Sequence, residues 1–166
     1  MLQSFQSFRE VTVLDREDYM RKALEVSFRA LETGDVPVGC VIVKDGEIIA
    51  EGWNRREPGD ATAHAETVAI RAACAKLGTW RLEGCELYVT LEPCPMCAGA
   101  IINSRISTVC YGAKDDKAGC CGSVLNLFEE RFNHKPRIYG GVLEAECSAA
   151  LTDFFQIGRA SCRERV

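Results

Sequence analysis

Small and apolar residues recur at three- and four-residue steps through Met20, Ala23, Leu24, Ser27 and Leu31, which predicts an amphipathic helix over residues 15–31. Asp15 is expected to cap its start and Gly34 to end it. Two β-rich runs follow, residues 38–44 and 47–53, and the Asp45-Gly46 pair between them predicts a tight hairpin. A second helix is expected over residues 62–77, capped by Thr62 and stopped by Gly78. Residues 85–90 read as a strand, residues 91–95 as a turn into a short helix ending near Ser104, and residues 107–113 as another strand. The polar, glycine-punctuated residues 114–122 read as a loop. A helix over 123–131, an extended piece at 137–139 and a helix over 144–155 complete the pattern. Helices alternating with strands after one hairpin predict an α/β fold, a mixed sheet covered on both faces.

Composition adds limits. The 166 residues, 47% apolar and 27% charged, suit one domain with a proper core. No apolar run approaches the ~20 residues of a membrane span, and the first 14 residues carry no basic leader, so the expected setting is cytoplasmic, with no membrane partner. Ten cysteines raise the question of a disulfide framework. Against it, Cys40, Cys74, Cys85 and Cys110 lie in apolar stretches, where a thiol packs as a small hydrophobe. The formal net charge of -4 does not advertise a nucleic-acid binder, although a local basic patch is compatible with it. The expected division is an N-terminal extension over residues 1–14, one domain over 15–156, and a non-native tail over 157–166. Those last residues leave the helical pattern and resemble the translation of a sequencing adaptor.

The candidate chemistry lies in His64-Ala65-Glu66 and Pro93-Cys94-Pro95-Met96-Cys97. A catalytic zinc takes three protein ligands and keeps a fourth position for water. His64, Cys94 and Cys97 would supply the three, leaving Glu66 free to move protons. Cys94 and Cys97, three apart at a predicted helix start, share one face, and the helix N-terminus favours their thiolates. Other readings are a redox Cys-x-x-Cys and a four-ligand structural zinc site completed by Cys120 or Cys121. His64 and Glu66, two apart, diverge on an ideal helix, so both reach one water only if the site wraps the helix end.

His-x-Glu followed by Pro-Cys-x-x-Cys is a zinc deaminase signature. The chain resembles the bacterial tRNA-specific adenosine deaminases through Asp35-Val36-Pro37-Val38-Gly39, Gly52-Trp53-Asn54-Arg55, Ala63-His64-Ala65-Glu66, the run from Tyr88 to Ala100, and Tyr111-Gly112-Ala113-Lys114-Asp115. Phe132-Asn133-His134 and Asp153-Phe154-Phe155 extend the match. The resemblance implies a cytidine-deaminase-like, three-layer α/β/α sandwich with a mixed five-stranded sheet, one Zn2+ per subunit, and a homodimer. It implies a tRNA anticodon stem-loop as partner, with the wobble adenosine converted to inosine and an arginine tRNA of anticodon ACG as the expected substrate. Zinc-activated hydroxide would attack the base while Glu66 shuttles protons. Asn54 would hydrogen-bond the target base, with Val36 and Pro37 walling the pocket and the Ala65 N–H on the purine. Asp115, Asn133 and His134 would contact neighbouring nucleotides, and Phe154 and Phe155 would close the edge. Many relatives end in a basic helix, so a chain cut near Phe155 is expected to bind RNA more weakly. The rival readings are a free guanine or cytidine deaminase and a silent tRNA-binding subunit. Retention of Glu66 opposes the last.

Overall fold

The computed structural model describes residues 13–164. Helix α1 (Val13–Ser27) tightens into a 3-10 turn (Phe28–Thr33) that ends at Gly34, followed by the hairpin β1 (Gly39–Lys44) and β2 (Glu47–Trp53). Then come α2 (Ala65–Leu77), β3 (Cys85–Leu91), α3 (Pro95–Ser104), β4 (Thr108–Ala113), a 3-10 turn at Leu127–Glu129, β5 (Arg137–Tyr139) and α4 (Glu144–Glu164). The hairpin turn forms as expected: Asp45 and Gly46 take φ of 50° and 79°, the left-handed pair that matches strand twist.

The five strands run in the order β2-β1-β3-β4-β5. β1 is antiparallel to β2 and β3, whereas β3, β4 and β5 are mutually parallel. Successive strand side chains point to opposite faces, and both faces are covered. Cys40, Ile42, Leu87, Val89 and Val109 pack under Ala65, Ala69 and Ala73 of α2 and Ala98 and Ile101 of α3. Val41, Val43, Tyr88 and Cys110 pack under Met20, Ala23 and Val26 of α1 and Cys147 of α4. The result is the three-layer α/β/α sandwich with a mixed five-stranded sheet that the resemblance implied.

Several local expectations are corrected. α1 is already helical at Val13, so Asp15 lies inside it and not at its start; the expected extension otherwise falls on residues 1–12, outside the described residues. Thr62 does not cap α2: its hydroxyl donates to Asp60 Oδ1 at 2.7 Å, and the residue that precedes the helix is His64. No helix forms over 123–131. The Cys121 and Ser123 N–H groups donate to the Glu92 carboxylate, which bends the chain away from helical geometry, and Asn126 caps only the short turn beginning at Leu127. Finally, α4 runs on past Phe155 to Glu164, through most of the expected tail. Among the described residues, no helix is long and apolar enough to cross a membrane.

Candidate active site

Two helix starts meet beyond the carboxyl end of β3. His64 and Cys94 each occupy the position just before a helix, with extended backbone, and each carbonyl accepts the first helical bond: Val68 N–H to His64 O at 3.0 Å and Ala98 N–H to Cys94 O at 2.8 Å. Neither side chain caps its own helix. Pro95 fills the first helical position of α3, where its missing N–H costs nothing. Because His64 lies before α2 and Glu66 in its first turn, helical spacing does not force the two apart. α2 reaches this position because Gly52 of β2 has no side chain: a Cβ there would sit 2.2 Å from the Ala65 carbonyl oxygen.

His64 Nδ1 lies 3.5 Å from Cys94 Sγ and 3.5 Å from Cys97 Sγ, and the three ligand atoms all lie within 4.8 Å of one another. A tetrahedral zinc with bonds of ~2.3 Å to sulfur and ~2.0–2.1 Å to nitrogen holds such ligands about 3.6 Å apart. The spacing and the His-Cys-Cys donor set therefore fit a zinc ion. Cys120 and Cys121 are not part of the cluster, so among the described residues it offers three ligands, as a catalytic site does.

The electrostatics agree. The hydrogen bond from Cys97 holds the Cys94 thiol down to about 4, helped by His64, while the same bond and burial push Cys97 well above the ordinary thiol range. A divalent cation binds such a pair with both thiols deprotonated. Two converging helix N-termini favour the negative charge that results. Glu66 is buried, its Oε2 accepting from the Cys97 thiol at 3.3 Å, and burial pushes its carboxyl up to about 7. A group near neutrality both takes and returns a proton, the property required of a proton shuttle.

Above this floor opens a cavity of about 500 Å³. Val36, Asn54, Asp115 and Phe155 line it together with His64, Glu66 and Cys94. Asn54 spans its wall: Nδ2 donates to the Val36 carbonyl at 3.1 Å, and Oδ1 accepts from the Ala65 N–H at 3.1 Å. The Ala65 N–H expected on the purine is therefore spent on Asn54 in this structure. Phe154 stands edge-on to Phe155, with ring centres 5.4 Å apart. Pro37 is not a lining residue, although its neighbours Val36 and Val38 are. Asn133 and His134 do not reach the cavity; His134 Nε2 lies 2.6 Å from the Ile106 carbonyl, beyond the opposite end of β4. Sequence reading missed Arg56, Lys114, Lys117 and Leu151 on the lining. Leu151, one helical turn before Phe155, had a signal in its spacing, and Lys114 lies in the resembling run 111–115; Arg56 and Lys117, beside Glu57 and Asp116, had none.

The region from residue 14 to 113 matches the cytidine and deoxycytidylate deaminase zinc-binding region. The chain is 54% identical over 142 residues to the tRNA-specific adenosine deaminase of Bacillus subtilis, covering 84% of this chain and 88% of the relative. The chain belongs to the tRNA-specific adenosine deaminase family. This deaminase also resembles a solved structure from work on A-to-I editing by tRNA:A34 deaminases at the wobble position of transfer RNA: 46% identical, TM-score 0.78, covering 81% of this chain and 99% of that one. Guanine deaminase of Bacillus subtilis is 37% identical with a TM-score of 0.57, covering 87% of this chain and 93% of that one. The deaminase has the cytidine-deaminase-like fold and is a zinc-dependent hydrolase acting on cyclic amidines.

Proposed function

We propose that this deaminase converts the wobble adenosine of a tRNA anticodon to inosine, with an arginine tRNA of anticodon ACG as substrate and a homodimer as the working form. The observation that carries the RNA reading is the cavity's makeup. A floor built for a hydrolytic metal lies under a rim where Arg56, Lys114 and Lys117, set among Asp115 and Asp116, bring three cations around one opening. A free base has no phosphate for such a rim, whereas an anticodon loop brings several.

His64, Cys94 and Cys97 would hold the zinc ion, which when bound lowers the pKa of a coordinated water toward neutrality. Glu66 takes a proton from the attacking water at its carboxylate and delivers it to the ring nitrogen beside the amine; it then takes the proton of the hydroxyl newly bound to the ring carbon and passes it to the amine, which leaves as ammonia. Asn54, fixed at both ends by backbone, presents its amide edge to the base. Val36 and Phe155 sandwich the ring, with Pro37 and Phe154 as supports behind them. Asp115 turns its own loop, accepting from the Lys117 and Ala118 N–H groups at 3.0 and 3.2 Å, and thereby offers the rim to the next nucleotide. Asn133 and His134 would meet RNA only where a second copy lays the far end of β4 beside this cavity.

The zinc-loaded protein presented with an anticodon stem-loop bearing a wobble adenosine, free adenosine, cytidine and guanine should release ammonia chiefly from the stem-loop, leaving inosine. Preferential turnover of guanine would overturn the reading and favour the guanine deaminase alternative.

A further inference from the structure

Glu92 is an acid with almost no access to water, 2% exposed, two residues before the metal ligand Cys94. No cation pairs with it among the described residues. Four donors from a single loop surround it instead. Oε1 accepts from the Asp115 N–H at 3.3 Å and the Ser123 hydroxyl at 2.5 Å. Oε2 accepts from the Cys121 N–H at 3.0 Å and the Ser123 N–H at 3.3 Å. Gly119 completes the nest, since a Cβ there would lie 2.2 Å from Oε2. Main chain adds a stitch beside it, the Cys120 N–H donating to the Pro93 carbonyl at 2.8 Å. The loop held in this way carries Lys114, Asp115, Asp116, Lys117 and Ala118, one whole side of the cavity.

We propose that Glu92 is a positioning residue for substrate selection: it fixes the loop bearing Lys114–Ala118 at a set distance from Cys94, so that the outer wall is registered to the metal floor. The donors it takes up explain why a charge is needed. Where this irregular loop turns in against buried Glu92, its N–H groups have no ladder partner, and a carboxylate with two acceptor oxygens takes up all four donors at once. The expectation that the wall selects an RNA segment rests on the reading of a tRNA substrate. The positioning role itself does not.

The test compares Glu92→Gln with Ser123→Ala in the zinc-loaded protein. The carboxamide keeps the shape of the acid but turns an N–H2 group toward two donors, while the alanine removes one donor from the intact carboxylate. Hydrogen exchange of residues 114–123, zinc content, and kcat and KM on the stem-loop and on free adenosine are measured. For Glu92→Gln, zinc content should hold, loop exchange should quicken, and KM for the stem-loop should rise about tenfold, the scale of a lost hydrogen bond to a charged group. kcat should fall much less, and KM for free adenosine should move little. Ser123→Ala should shift the same readouts in the same direction by less, about threefold, and the double variant should be no worse than Glu92→Gln alone. Loss of zinc in step with activity, equal losses of kcat on both substrates, or unchanged loop exchange would each overturn the proposal. If Glu92→Gln does not fold, Ser123→Ala decides, and unchanged exchange with unchanged KM rejects the role. A wild-type protein inactive on the stem-loop refutes the RNA reading, and the exchange data then still judge Glu92.

Discussion

The floor of the cavity and its outer wall are built by opposite means. The floor takes its ligands from the starts of two regular helices, and their geometry follows from backbone that packing holds in place. The wall is a loop without regular structure, held by side-chain carboxylates that collect backbone N–H groups. Asp35 does the same on the other side, 1% exposed and accepting from the Arg56 N–H at 2.9 Å and the Glu57 N–H at 3.3 Å. The chemistry is thus placed by secondary structure, and the selection by buried acids. Change in the floor should therefore appear in kcat and in metal content, and change in the wall should appear in KM.

The largest effect should come from the metal. Chelation, or Cys97→Ala, should abolish ammonia release, and added zinc should restore the wild type alone; metal analysis beside activity checks this. Glu66→Gln comes next, with kcat lower by about a thousandfold and zinc still bound, the range of a lost general acid–base group. A variant with near-normal kcat would remove Glu66 from the proton pathway. Asn54→Ala bridges floor and wall, because it leaves the Ala65 N–H without its acceptor and the Val36 carbonyl with only the Val38 N–H. It should lower kcat/KM by about tenfold or more and cost about 1–3 kcal/mol in denaturant unfolding. Smallest is Phe155→Ala, which removes a half-exposed stacking face from the rim. It should raise KM for the stem-loop several-fold, up to about tenfold, at unchanged zinc content. An effect on kcat larger than that on KM would erase the distinction drawn above.

That division also explains what was legible in the sequence. The metal ligands, Glu66, the hairpin turn and the Gly34 and Gly78 helix stops are local patterns: short spacings and single-residue preferences that survive without knowledge of the fold. The wall depends on contacts between residues far apart in the chain. Glu92 and Ser123 lie 31 positions apart, so residues 123–131 kept a helical reading that the buried acid overrides. Thr62 looked like a cap by type, but Asp60 takes its hydroxyl and leaves His64 at the helix start. Arg56 and Lys117 carried no pattern at all, since charge on a rim is visible only once the rim exists. His134 shows the converse, a residue expected at the substrate through the resemblance alone that in this chain holds the Ile106 carbonyl at the other end of the sheet.

His64 and Cys94 each stand where a helix ordinarily wants serine, threonine, aspartate or asparagine, and neither closes its own helix with a side-chain bond. A better helix starter at either position would lengthen the life of the folded chain without metal while dismantling the reaction. Stability and activity are therefore in direct competition at two named positions. A screen that rewards thermal resistance alone, run on this protein, should accumulate its first inactive survivors there.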